Sequence, residues 1–472
     1  MKRVVCATML TAVAAGCAVG PDYERPAVEM PAAWRVASAK DAEIANTAWW
    51  KQFDDPVLDE LIDTALRENR DLVIATARVD RFLGVLTTTR SEFFPQLGYG
   101  LDASRNRASE TGATPLPPGT DPYYELYQGG LSAAWQIDLF GRVRRLSEAA
   151  RANALASEQA RRGVILTVVT TVASGYIGLR ALDRQLEISR ATARNYAGTL
   201  KLFELRYRGG IVSSLELAQV KSQYQQALAA VPVLERQVAT QENLLSVLLG
   251  RNPGPIPRGR TIEQLAAPAI PGGLPATLLE RRPDILQAEQ NLVAANANIG
   301  AARALYFPSI SITGFAGSVS AALSDFATSP SASGFVAGTV VGPLFTFGAI
   351  SGQVASAEAG QREALGLFQQ VVQNALRETN DALVGAQKKA AEYEALAQRV
   401  DALRTYARLS RLRFDNGVAS YLEVLYAENE LFSAELTTVR AQAERNTELI
   451  NVYKAFGGGW VTLADPLAAS PK

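Results

Sequence analysis

Two periodicities organise this chain. From Gly141 to Tyr207 almost nothing breaks a helix, and over the second half apolar residues recur in a 4-3 spacing: Val168/Val172, Gly175/Leu179, Leu182/Leu186, Ser189/Ala193, Tyr196/Leu200 and Phe203/Tyr207. Only Gly175 and Ser189 depart from apolar character, and the spacing is that of a coiled-coil seam. At 1.5 Å per residue such a helix reaches roughly 100 Å. That length favours a rod or a tube wall over one globular core, with an ordinary helical bundle as the plain alternative. A second helical pattern begins near Pro56-Val57-Leu58 and continues to about Phe93.

Between Pro95 and Gly141 the period drops to two. Leu97, Tyr99, Leu101 and Ala103 alternate with Gln96, Gly98, Gly100, Asp102 and Ser104; later Tyr127, Leu131, Ala133, Trp135, Ile137 and Leu139 alternate with polar or small residues. One apolar and one polar face at this period is the strand signature. Strands of about ten residues are long enough to cross an outer membrane with lipid on one side and water on the other. The later half of the chain repeats this less cleanly. Ser309 to Thr313 alternates, Gly314-Phe315 breaks the phase, and Gly334 to Phe347 is Gly-rich with Pro343. The intervening segments, Ala108 to Tyr123 and Ser318 to Ser333, read as exposed loops.

The reason for the resemblance between halves is an internal duplication. Leu205-Arg206-Tyr207-Arg208-Gly209-Gly210-Ile211-Val212-Ser213-Ser214-Leu215-Glu216 returns 207 positions later as Leu412-Arg413-Phe414-Asp415-Asn416-Gly417-Val418-Ala419-Ser420-Tyr421-Leu422-Glu423. Gly141 matches Gly348, and Leu249-Gly250 matches Phe456-Gly457, at the same offset. Upstream the offset is 213, carrying Asp71 to Asp284, Arg90 to Arg303 and Phe93-Phe94-Pro95 to Tyr306-Phe307-Pro308. Solenoid repeats run only to about 50 residues, so the unit is instead half of a large pseudo-symmetric structure. Four strands per chain cannot close a barrel, and a spanning barrel leaves no edge in lipid. Several chains must therefore share one barrel; the strand count alone leaves the stoichiometry open, three copies giving twelve strands.

Composition removes most other chemistry. Lys+Arg and Asp+Glu each number 47, so no nucleic-acid or strongly anionic partner is indicated. There is no histidine, which removes the commonest general base and metal ligand. The two cysteines, Cys6 and Cys17, leave the body without disulfide or thiolate chemistry. Paired carboxylates on long helices read as solvated surface. No catalytic, cofactor-binding or metal-binding residue is assigned and no cofactor is expected. No segment beyond the leader is an apolar run of 18 residues, so no membrane-spanning helix is predicted.

Lys2-Arg3, an apolar stretch from Val4 to Ala15, and Ala14-Ala15-Gly16-Cys17 form an export signal. Its ending resembles a bacterial lipoprotein signal, with Cys17 as the lipidated residue, although Ala14 replaces the usual Leu. An ordinary secretory signal is the alternative. Ala18, in place of Asp, suggests by the same analogy delivery to the outer membrane. A Pro-rich, extended stretch follows from Pro21 to Pro31.

Four passages together resemble the TolC-type outer-membrane factors, in particular the lipidated NodT/OprM-like branch. They are Cys17-Ala18-Val19-Gly20-Pro21-Asp22-Tyr23-Glu24-Arg25-Pro26, Trp49-Trp50-Lys51-Gln52-Phe53-Asp54-Asp55-Pro56, Leu278-Leu279-Glu280-Arg281-Arg282-Pro283-Asp284-Ile285, and the twin Arg-aromatic-x-x-Gly segments. The resemblance covers nearly the whole mature chain. It implies a mainly α homotrimer in which a twelve-strand outer-membrane barrel continues into a long periplasmic helical barrel. The implied role is the exit duct of a tripartite efflux system, joined by a periplasmic adaptor to an inner-membrane pump of the RND type. Type I protein secretion shares this architecture, and a structural coiled-coil lipoprotein would explain the helices but not the strands. The implied domains are residues 1–16 (signal), 17–56 (lipidated segment and start of an equatorial region), 57–250 (first repeat), 251–276 (equatorial linker), 277–457 (second repeat) and 458–472 (equatorial tail).

The twin segments follow one long helix and precede another, with Gly209-Gly210 and Asn416-Gly417 suited to a tight reversal. Ser213 and Ser420 are candidate N-caps. The resemblance makes these turns periplasmic tips where an adaptor docks, with Arg206, Gly210, Ser213, Arg413, Gly417 and Ser420 as candidate tip residues. It also places a closed iris just beyond the second tip. Leu422 falls at a hydrophobic gate ring, and Tyr426, one turn on, stands where relatives often carry Asp. Glu423 is the candidate source of the ring charge, its plain reading being solvated helix surface like Glu216.

Overall fold

Strong local signals set the element boundaries. A computed structural model describes residues 19–36, 48–112, 116–117, 119–270 and 278–457. The signal segment, Cys17, and the tail after Gly457 lie outside them. The helices are α1 (Pro56–Glu68), α2 (Arg70–Ser91), α3 (Arg142–Arg208), α4 (Ser214–Leu248), α5 (Pro283–Arg303), α6 (Ala349–Asp415) and α7 (Tyr421–Ala455); the strands are β1 (Gln96–Arg107), β2 (Tyr123–Ile137), β3 (Ser309–Ser320) and β4 (Ala332–Val341). The pattern from Pro56 to Phe93 is two helices, not one. Asn69 ends the first, its N–H bonding Ala65 O at 2.9 Å. Its side-chain oxygen then accepts the N–H groups of Asp71 and Leu72 and starts the second. A residue that caps both helices leaves no break in hydrophobic periodicity to read.

The chain divides into two compact units. The first holds the N-terminal segment to Ala27, Val79–Ala156 and Ala288–Phe368. Its four strands pair antiparallel in the order β1-β2-β3-β4. The register aligns apolar residues in rows on one face: Leu97–Ala133–Gly314–Val336, Tyr99–Leu131–Ala316–Gly334 and Ile137–Ile310–Val340. The opposite face carries Gln96–Ala134–Thr313–Ala337 and Gln136–Ser311–Thr339. The phase break at Phe315 does not interrupt β3. Phe315 sits on the more polar face and stacks on Phe335, its direct partner, with ring centroids 6.3 Å apart. Tyr99, Val336 and Leu97 are more than 80% exposed, and so contiguous an apolar surface marks contact with lipid or protein.

In this unit the N-terminal segment is clamped on helices. Arg145, almost fully buried, bonds Asp22 at 2.8 Å and reaches the carbonyls of Val19 and Gly20. Asn296 donates to Pro21 O, and Glu289 binds Tyr23 and Arg25. Burial is the main reason the Tyr23 phenol is pushed up to about 12, so it remains a donor to Glu289. Gly20 adopts a φ of +107° and lies so close to Gly300 that a Cβ there would meet its Cα at 2.4 Å. Two glycines are what let this contact form.

The second unit holds Val28–Arg78, Ser157–Gln287 and the chain from Gln369. The seam predicted along α3 is its spine: all its positions are buried or half-buried except Tyr207. One stretch of α3 is apolar and long enough to cross a membrane by composition, but 67% of it is buried in the protein. It packs with Trp49, Trp50, Phe53, Leu58, Ile62, Leu245 and Tyr453 in one core cluster. Beside this core Asp55, 1% exposed, gathers three bonds on its carboxylate. Its carboxylate caps α1 through Val57 N–H at 2.9 Å, and accepts the Tyr176 hydroxyl and the Arg260 N–H at 2.9 Å each; the Tyr176 oxygen accepts Gly259 N–H at 2.9 Å. Gly259 approaches Asp55 too closely for a side chain.

Tyr176→Phe removes the donor to a buried carboxylate, and should destabilise the protein by about 1–3 kcal/mol. Limited proteolysis should show the segment around Gly259 cut faster than in the wild type, while unchanged melting and cleavage would refute the role given to this node.

Candidate gate and docking tips

Each tip is built by one helix end and one helix start. The last turn of α3 closes with Ile211 N–H on Arg206 O (2.8 Å) and Gly210 N–H on Tyr207 O (3.0 Å); α6 closes identically with Val418 N–H on Arg413 O and Gly417 N–H on Phe414 O, both 2.9 Å. This pair of bonds is a Schellman cap and needs a left-handed residue. Gly210 and Gly417 supply it, both at φ +72°.

The returning helices differ. Ser213 caps α4 in a full capping box: its hydroxyl accepts Glu216 N–H at 3.2 Å, and Glu216 accepts Ser213 N–H at 2.7 Å. The Ser213 N–H and then its hydroxyl, both donating to the Glu216 carboxylate, lower the Glu216 pKa. Ser420 begins α7 with no side-chain cap bond. Its counterpart carboxylate, Glu423, instead accepts Arg413 at 2.9 Å and lies within reach of the Ser410 hydroxyl at 3.4 Å.

Between the turns lies a small apolar core of Phe203, Val220, Tyr421, Val424 and Leu425. Tyr421 packs on Phe203 at 4.4 Å and on Phe414 at 5.0 Å. Arg206 stands over Phe203 and Phe414, 6.0 and 5.9 Å from the ring centroids. A residue from the first copy thus spans rings of both copies. The face of α7 away from this core carries Leu422 and Tyr426, 57% and 60% exposed.

Sequence reasoning missed three further residues on the first tip and two on the second, where it had singled out only Leu422. Leu205, Ile211 and Leu215 are exposed, and so are their equivalents Leu412, Val418 and Leu422. Apolar identity preserved between copies where no core claims it was the available signal.

Comparison with known proteins decides the family. The model of the outer membrane efflux protein family matches residues 61–251 and 274–458. The toluene efflux pump outer membrane protein TtgI of Pseudomonas putida is 36% identical over 453 residues, 94% of this chain and 96% of that protein. The chain belongs to the outer membrane efflux protein family. The cation efflux system protein CusC of Escherichia coli O157:H7 is 33% identical across 94% of this chain and 96% of its own length. The open-state outer membrane channel MtrE of Neisseria gonorrhoeae superposes with a TM-score of 0.85 at 30% identity, covering 94% of this chain and 99% of that one. The family is one of outer-membrane transport components.

In this efflux protein a further group of titratable residues lies farther along α7 from the tip. A groove of about 670 Å³ is bordered by Tyr196, Thr199, Arg411 and Glu428 among others. Burial raises the Glu428 pKa, and the Arg411 guanidinium, 3.9 Å away, offsets this only in part. The Tyr196 hydroxyl is buried without a hydrogen-bond partner, and its pKa is raised by burial first and by Glu428 second.

Two expectations follow from these contacts. Ser213→Ala should cost about 1 kcal/mol and speed amide exchange in the first turn of α4, whereas Ser420→Ala should leave exchange at the start of α7 nearly unchanged. Equal effects would contradict the asymmetry. Glu428 has a folded pKa above its unfolded value, so its protonation favours the fold; that benefit is full below the ordinary carboxylate range and is lost as pH rises through the raised pKa. Glu428→Gln should therefore melt higher than the wild type at pH 7 to 8, with the gap closing as pH falls to the ordinary glutamate range. A gap independent of pH would assign the effect to something other than this charge.

Proposed function

We propose that three copies of this efflux protein form the passive exit channel of a tripartite efflux system, closing a twelve-strand barrel through the outer membrane. The observation carrying this reading is a four-stranded sheet with apolar rows exposed on one face, polar rows on the other and both edge strands unpaired. Backbone groups in hydrocarbon must all be bonded, so the edges require strands from other copies. Apolar rows then meet lipid and polar rows line a wet lumen. Cys17, two residues before the clamped Val19, would carry the lipid anchor and hold the segment at the membrane surface.

Leu422 and Tyr426 would line the closed iris, three copies of each converging on the axis. Glu423 supplies charge to that ring only when its pair with Arg413 opens. The two turns would receive the helical hairpins of a periplasmic adaptor, through Gly210, Ser213, Gly417 and Ser420 and the exposed apolar residues beside them. Arg206 and Arg413 brace the tips from within. An RND-type inner-membrane pump would supply energy, and an adaptor that binds the splayed tips better than the closed ones would open the channel. Relatives named for toluene and for cation efflux support small solutes as cargo, with selection made by the pump.

Planar-bilayer recording tests the gate. The wild type should conduct weakly, and Leu422→Ala with Tyr426→Ala should raise conductance several-fold; if neither protein ever opens a pore, the channel reading fails. In-cell photo-crosslinking from positions 213 and 420 should capture an adaptor together with its pump. Capture of neighbouring copies alone would reject docking at the tips.

A further inference from the structure

The groove that Glu428 borders holds polar groups for which the three surrounding helices supply no partner. Ile188, Thr192, Asn195 and Thr199 follow one another along α3 in a 4-3-4 spacing, a mostly polar stripe beside the apolar seam. The facing walls carry Arg408 and Arg411 on α6, and Glu428 and Phe432 on α7. Ile188, Ala407 and Phe432 are buried and give the groove an apolar patch. About 670 Å³ is the space of a small-molecule site, many times that of one water.

Tyr196 is 3% exposed, with its ring clustered on Ala193 and Ala227 and its hydroxyl left without a hydrogen-bond partner. A buried tyrosine hydroxyl ordinarily has one. Arg408 makes no ion pair among the described residues. Arg411, one turn on, is 3.6 Å from Asp415 and 3.9 Å from Glu428, both longer than a charge-assisted hydrogen bond. It also stands over the Tyr421 ring, whose pKa is raised by burial first and by Glu428 second. The other bordering charges are already engaged. Arg184 bonds Glu187 at 2.7 Å and Glu263 at 2.8 Å, and Glu435 accepts Arg404 at 3.0 Å. The duplicated framework does not itself require this set: the equivalents of Tyr196, Arg411 and Glu428 are Leu403, Glu204 and Lys221.

We propose that this groove binds the carboxylate of a small organic acid, held by Arg408 and Arg411 with the Tyr196 hydroxyl donating to it, while Ile188 and Phe432 cover the apolar body. A guanidinium fork matches the two oxygens of a carboxylate. A donor shut away from water gains most from an anionic acceptor. Ionised Glu428 repels such a ligand, so entry favours its neutral form and couples binding to one proton. The carboxyl is neutral below its raised pKa, and affinity is lost as pH climbs through that value. The site lies inside one chain and goes beyond the channel reading.

The test titrates full-length protein, purified in detergent, with 4-fluorobenzoate followed by fluorine NMR, beside neutral 4-fluorobenzamide and inorganic phosphate. The benzoate should saturate, the benzamide should bind about tenfold more weakly, and phosphate should not displace the benzoate. Arg408→Ala, at an exposed position, and Tyr196→Phe, which keeps the ring, should each weaken benzoate binding about tenfold. Wild-type affinity should fall as pH rises through the raised Glu428 pKa, whereas Glu428→Gln should stay nearly flat and bind more tightly at the alkaline end. Melting curves establish that each variant is folded. Equal binding of benzoate and benzamide, displacement by phosphate, or wild-type affinity in folded Arg408→Ala and Tyr196→Phe overturns the organic-acid site. A pH profile shared by wild type and Glu428→Gln overturns the coupling to Glu428. Absence of saturable binding rejects the site and leaves the channel reading, which conductance tests, as it stands.

Discussion

Unpaired backbone is the constraint on which the rest of the fold depends. Each strand of the sheet presents amide and carbonyl groups that hydrocarbon cannot satisfy. Inside the chain three ladders pair β2 and β3 on both sides over most of their length and leave β1 and β4 each with a bare edge. A soluble protein would blunt such edges with charge or proline. Here β4 reads Ala-Ser-Gly-Phe-Val-Ala-Gly-Thr-Val-Val, with no charge at all. The edge is kept for pairing. Glycines serve the same end: Gly130 and Gly317 lie opposite one another, so near that a Cβ on Gly130 would stand 2.6 Å from Gly317 Cα.

In the helical unit the corresponding constraint is length. Helices as long as α3 and α6 cannot wrap around one core, so stability comes from a seam repeated along them. Apolar packing is concentrated where other segments join α3. Trp49, stacked on Tyr453 at 5.2 Å, and the Asp55–Tyr176 node tie short segments to the long helix. Toward the tips packing thins to a small cluster of rings and aliphatic side chains with arginines over the rings. That gradient suits the proposed opening at the tips, since regions that rest on few apolar contacts open at low cost.

Much of this was legible in the sequence, for identifiable reasons. The seam from Val168 to Phe203, the alternation from Leu97 to Ala103 and the two glycine turns each follow from one short-range rule. The Asn69 break escaped because a residue that caps two helices preserves the hydrophobic phase on both sides. Phe315 looked like a break because its partner, Phe335, is distant in sequence, and only the pairing shows two aromatics sharing the wetter face. Ser213 and Ser420 looked equivalent, but whether a serine caps depends on the carboxylate three residues on. Glu216 is free to complete the box, and Glu423 is held by Arg413. The exposed tip residues were invisible to periodicity because they continue the apolar pattern of buried neighbours.

If the proposed gate is formed at the second tip, that divergence shows how a duplicated protein can confine it to one half. Positions inherited unchanged, such as the glycines and Leu215 with Leu422, perform the task common to both turns, reversing the chain and exposing an apolar tip. Positions that differ carry what is specific to the second. Tyr426 stands where the first copy has Gln219, and Glu423, unchanged in identity from Glu216, has exchanged a backbone cap for an ion pair with Arg413. A helix start that lacks its side-chain cap is easier to move, and an exposed ion pair contributes little to holding it. The second tip therefore combines a bulky exposed ring with a weaker hold on its own helix. Restraint comes chiefly from Tyr421, wedged between Phe203 and Phe414, so displacement of α7 must first separate an aromatic contact between the two copies.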